Sequence, residues 1–193
     1  MNDQKFIAAF IGTVIVTLLA SGVFLFIAGS SDDNIRFLLR TTAQLSLLVL
    51  IIIMIARPLW QLSKGAFTKK LMAIRPIIGI ILAGTFTSHL ALLFYRSNKI
   101  DDFQLTVSDN ILGVLTFATV YAMLITTFSG PRRVIGPKLW KALHKFGIYF
   151  ILSGFMLTLL PSSIDKLSEM NWGIFSIFAT LFLLRVAAFI KSR

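Results

Sequence analysis

The chain has 193 residues, 56% of them hydrophobic and 14% charged, with a net charge of +11 and no cysteine. A soluble domain carries roughly a quarter charged residues, whereas here the apolar residues come in blocks of about twenty, the length a helix needs to cross the ~30 Å hydrocarbon core of a bilayer. The composition therefore excludes a soluble globular domain, and the missing cysteines exclude disulfides, iron–sulfur clusters and thiol chemistry.

Six apolar segments follow in chain order, and the expected fold is all-α: a polytopic bundle of six transmembrane helices forming one domain over residues 1–193. The first segment spans residues 6–28. Its apolar run exceeds the 7–15 residues of a secretory signal core, so it reads as a retained helix. The second spans 37–60. The third spans 74–95, follows a basic loop with Pro76 read as the helix start, and carries His89. The fourth spans 110–128. The fifth spans 139–160, follows Arg132, Arg133 and Lys138 with Pro137 read as its start, and carries His144 about a turn inside. The sixth spans 172–190. No connecting loop exceeds about twenty residues, and there is neither a Gly-rich nucleotide loop nor a group of acids at metal-ligand spacing. No soluble catalytic domain and no flavin or nicotinamide site is expected in this chain.

The charges sort by side. With the N-terminus, loop 2–3, loop 4–5 and the C-terminus on one side, fourteen basic side chains face one acid, Asp3; the other side sets five basic residues against seven acids, a split of +13 versus −2. The positive-inside rule then puts both termini in the cytoplasm. This segregation accounts for the basic charge through topology and contact with anionic lipid, and leaves no reason to invoke nucleic acid. The setting is a multi-pass protein of the lipid bilayer, expected in a bacterial inner (plasma) membrane.

Ionisable side chains inside a bilayer are costly and usually serve a function. His89 and His144 are the only histidines, and a neutral imidazole is a common axial ligand of heme iron. Their depths differ. His89 lies ~21 Å from the cytoplasmic start of its helix and His144 ~8 Å, at 1.5 Å per residue. A heme standing upright between two helices needs its axial ligands at similar depth. The mismatch of about 13 Å leaves three arrangements open: a tilted bis-histidine site, a five-coordinate heme on one histidine, or a thioether as second ligand. Met156 is near the depth of His89 and Met123 near that of His144, although methionine more often fills packing gaps. Depth alone gives His89 more weight, because water can satisfy an imidazole near the headgroups. Arg96, two turns beyond His89 on the same face, is a candidate partner for a heme carboxylate. Gly84 and Ser88 read as a close-packing face, and Gly147 as a place where a flat ring could approach.

The stretches "IRPIIGIILAGTFTSHLALL" and "GPKLWKALHKFGIY" resemble the ferric reductase-like transmembrane domain, most strongly over residues 59–160. They look most like the heme-binding membrane subunit of bacterial methionine sulfoxide reductase systems, with the NADPH oxidase membrane domain a more distant relative. The resemblance implies six helices holding b-type heme between helices three and five. It also implies electrons entering from a cytoplasmic flavoprotein reductase and leaving to an outer-side acceptor protein or small molecule. It maps four ligand positions onto Arg75, His89, His144 and Leu157, the first pairing with the third and the second with the fourth. Each histidine thus lacks its partner, which implies at most one heme b per chain.

Three readings follow: a heme-b subunit passing electrons across the membrane, with no catalytic soluble domain of its own; a heme-free membrane anchor or assembly partner; and a small transporter, disfavoured by the lack of intramembrane acids. The topology has a direct check. A reporter fused to the C-terminus is expected to be active when it needs the cytoplasm and silent when it needs the periplasm; the reverse pattern would refute the inside assignment.

Overall fold

A computed structural model of the chain describes residues 3–100, 110–165 and 169–191. Asp101, Asp102, Asp109, Lys166 and Arg193, counted in the charge split, lie outside the described residues. Six helices make up the described chain: α1 (Asp3–Ala28), α2 (Asp32–Ser63), α3 (Ala66–Lys99), α4 (Ile111–Ile125), α5 (Ser129–Asp165) and α6 (Glu169–Lys191). Three of them, α1 to α3, are each long and apolar enough to cross a membrane, and α4 with α5, bent by 107°, makes a fourth candidate span.

The helix ends explain themselves. After α1, Gly29 takes a positive φ of 86°, and the Asn34 amide donates to the Ala28 and Gly29 carbonyls at 2.9 and 3.0 Å. Those carbonyls have no helical donor of their own. Ser31 caps α2, with Asp32 and Asp33 in its first turn, where the helix dipole favours negative charge. At the far end of α2, Lys64 turns left-handed and Gly65 opens α3 at once. The loop expected between helices two and three is therefore two residues long, and Pro76 lies inside α3 rather than at its start. Pro137 does begin a helical run: Gly136, at φ 75° and ψ 164°, interrupts α5 just before it.

Side-chain ties set the registers. Gly84 of α3 faces Thr13 of α1, and Ser88 faces Thr17, so α1 and α3 run in the same direction. Ser46 donates to Thr85 at 2.9 Å, and Thr42 bonds His89 at 2.9 Å, an antiparallel pairing of α2 with α3. On α4 and α5, Thr126 meets His144, Met123 meets Gly147 and Thr116 meets Gly154, again antiparallel. Arg185 reaches the Met54 carbonyl and Lys191 the Leu62 carbonyl, so α6 runs with α2. Four chain regions gather at one end of the bundle. Asp3 accepts from the Ser129 backbone and hydroxyl at 3.3 and 2.7 Å, and Lys191 donates to Leu62 at the close of α2. The core joins Leu50, Ile53 and Met54 to Leu82, Phe86, Val120, Ile151 and Leu181. By contrast α1 turns Ile15, Val16, Leu19, Phe26 and Ile27 outward.

In lipid, apolar area gives helices little reason to prefer one another over acyl chains, so close packing at small residues matters more. A side chain at Gly84 would put its Cβ 2.8 Å from the Thr13 Cβ, whereas nothing lies within 4 Å of one at Gly79. Gly84→Leu is therefore expected to cost about 1–3 kcal/mol and lower the thermal midpoint in detergent, while Gly79→Leu leaves it near the wild-type value. Equal midpoints for the two variants would remove close approach as the reason for Gly84.

Candidate functional site

The site begins with two prolines. Pro58 is buried inside α2 and has no N–H to give the carbonyl four residues back, that of Met54. Arg185 of α6 brings a donor toward it: its Nη2 lies 3.5 Å from the Met54 oxygen, a long contact. The same guanidinium donates to the Tyr149 hydroxyl and lies 4.6 Å from the centre of that ring. Pro76 similarly leaves the Met72 carbonyl without its helical donor. Between these segments lies a cavity of about 920 Å³. Arg57, Arg75, Arg132, Lys141, Lys145 and Arg185 line it, and among the described residues no acid does. Ile53, Leu82, Val120, Ile148 and Ile151 provide its apolar wall. Two buried donors on residues lining it, Trp140 Nε1 and Arg185 Nε, have no hydrogen-bond partner.

His144 opens onto this cavity. Its Nε2 is 3.4 Å from the Thr126 hydroxyl, long for a hydrogen bond, so the nitrogen is weakly held. The ring lies 4.5 Å from the Trp140 ring, whose system also carries the Arg132 guanidinium at 4.3 Å. Met123 lines the same cavity. It packs on Gly147, so the space that glycine leaves is filled by Met123 and Thr119 of α4 and not left for a flat ring. Met123 and His144 belong to the adjoining faces of α4 and α5, side by side, while Arg75 comes from α3 and Arg57 from α2.

His89 has different surroundings. It is half-buried; Thr42 bonds its Nδ1 at 2.9 Å, and the Phe117 ring lies parallel to it with centroids 6.3 Å apart. It does not line the basic cavity. Phe117 and Thr126, which mark the two imidazoles along α4, are nine residues apart, or about 13 Å of helix. The two histidines therefore stand at separate levels. Met156 is half-buried on α5 and Leu157 is exposed. Arg96, expected opposite a heme carboxylate, instead binds a carboxylate of the chain itself. It forms a two-pronged pair with Asp32 at 2.7 and 3.2 Å, and Arg36 joins the same acid at 2.6 Å.

Arg57, Arg75 and Arg185 are three of the fourteen basic residues that the charge split places on one side, and the split does not reveal that they converge. The available signal was a proline inside an apolar run, Pro58 or Pro76, together with Arg185 set in "FLLRVAAFI". Among the described residues no three His, Asp or Glu side chains gather as a bare metal site.

Comparison with curated proteins and comparison with solved structures each give no match. A family profile, the ferric reductase like transmembrane component, matches residues 40–155. That interval holds both histidines, Pro58, Pro76, all of α4 and the part of α5 up to residue 155. The match covers more than half of the chain, which therefore belongs to the ferric reductase-like transmembrane family.

Proposed function

We propose that this chain is the heme-b-carrying membrane subunit of an electron-transfer system, fed by a cytoplasmic flavoprotein and discharging to an acceptor on the outer side. The observation that carries the reading is the cavity beside His144: one weakly held imidazole, an apolar wall and a surplus of cations in a family whose members move electrons through membranes. Bound heme supplies a one-electron couple. His144 would hold its iron, Arg132, Lys141 and Lys145 its carboxylates, and Ile53, Leu82, Val120, Ile148 and Ile151 would keep water from its ring.

In this reading His144 would be the single side chain of this chain that holds the iron. Arg75 comes from the helix facing His144 and cannot ligate, and Met123 stands beside the imidazole rather than across from it. At the His89 level Thr42 fixes one ring nitrogen and Phe117 covers a ring face, which leaves less room for a porphyrin. The weight that depth alone gave to His89 thus moves to His144. Six crossings, both termini inside and a bacterial inner membrane complete the reading. The gathering of the α1 start, the α2–α3 turn, the α4–α5 junction and the α6 end supports the orientation.

The purified full chain is expected to give no more than one b-type heme per chain by pyridine hemochrome, and a reduced-minus-oxidised difference spectrum. His144→Ala should lose most of that heme, and His89→Ala should keep most of it, with the yield of folded protein checked for both. Loss in His89→Ala alone would move the site to the deeper level. Two hemes per chain would refute the assignment of ligand positions, and no heme in the wild type would favour the anchor or assembly-partner reading.

A further inference from the structure

We infer that the cavity binds the phosphate headgroup of an acidic phospholipid, held by Arg57, Arg75 and Arg185 on the α2, α3 and α6 walls. This goes beyond the heme reading and does not require it. The first argument is charge. Six basic side chains line one cavity with no acid among the described lining residues, more than the two carboxylates of a heme would neutralise. Cations crowded in a partly apolar setting repel one another and call for an anion.

The second argument is the pair of orphaned donors. Arg185 spends its Nη1 on Tyr149 and its Nη2 on Met54, and its Nε is buried with no partner. Trp140 Nε1 is in the same state. A buried donor without a partner costs about 1–3 kcal/mol in general, and both lie on residues that line this cavity. A phosphate offers the acceptor oxygens that both lack.

The third argument selects a lipid over a free anion. Arg57 and Arg75 lie toward the turn joining α2 to α3, whereas Ile53, Leu82 and Ile151 lie farther from that end. A cavity charged toward one end and apolar beyond it suits a molecule with an anionic head and an acyl chain. The basic end of a membrane protein faces the leaflet in which acidic lipids supply such heads.

The test uses the full chain, delipidated in detergent, then given vesicles of phosphatidylcholine with or without phosphatidylglycerol. Retained lipid is counted by native mass spectrometry, and heme content is measured on every sample. Retention of one phosphatidylglycerol in preference to phosphatidylcholine is expected. Arg57→Gln and Arg75→Gln should each weaken it roughly fivefold, and Lys64→Gln, a basic residue outside the cavity, should not. Arg57 is exposed, so its replacement tests the site even if Arg185→Gln fails to fold. Equal retention of the two lipids overturns the proposal, and so does equal weakening by Lys64→Gln. Displacement of phosphatidylglycerol by inorganic phosphate would assign the site to a free anion. Exclusion of phosphatidylglycerol from heme-loaded but not heme-free protein would assign it to the porphyrin carboxylates. Retention by heme-loaded and heme-free protein alike, or by a wild type that carries no heme in any preparation, supports the lipid site.

Discussion

The bundle depends on five consecutive residues of α3, Thr85 to His89. Thr85 bonds Ser46 of α2, Thr87 bonds Tyr121 of α4 at 3.1 Å, Ser88 bonds Thr17 of α1, and His89 bonds Thr42 of α2. Phe86, between them, meets Phe117 and Phe155 edge-on at 5.5 and 5.9 Å. Successive helical residues point about 100° apart, so one short stretch reaches neighbours all around the helix. Each hydroxyl tie between membrane helices is worth about 1 kcal/mol, and together they fix rotation as well as position. The other packing contacts are arranged around this central helix: α1 closes on it at Gly84, and α2 lies antiparallel along its other side.

Much of this was legible beforehand. Apolar runs of bilayer length announce helices because their own backbone bonds must satisfy every peptide group in lipid, and the structure is helical where those runs lie. Gly84 and Ser88 declared a packing face by their size, and α1 occupies it. What could not be read is which long-range partner completes a local defect. Pro76 looked like a helix start because prolines favour first turns, yet the two-residue turn at Lys64 and Gly65 begins α3 earlier. Gly147 looked like room for a ring until the register of α4 against α5 put Met123 there. Arg96 looked available until α2 brought Asp32 beside it. In each case the residue type was informative, and the partner was set by packing between segments far apart in sequence.

The two histidines illustrate how the same residue type takes different roles from its surroundings. His89 is held on one edge by a hydroxyl and on one face by a phenyl ring, as a side chain that helps define helix rotation is. His144 is held loosely and lies next to open space bordered by cations. Phe86, three residues before His89 on α3, meets Phe117 edge-on beside that imidazole.

Arg185 and Lys191 also bear on how such a chain is assembled. Both sit on the last helix, and both donate to carbonyls of the second. During synthesis α2 enters the bilayer before α6, and until α6 docks the Met54 carbonyl beside Pro58 lacks the donor that Arg185 brings to it. A bundle without α6 thus leaves a backbone acceptor of α2 open, and docking α6 brings donors to the Met54 and Leu62 carbonyls together.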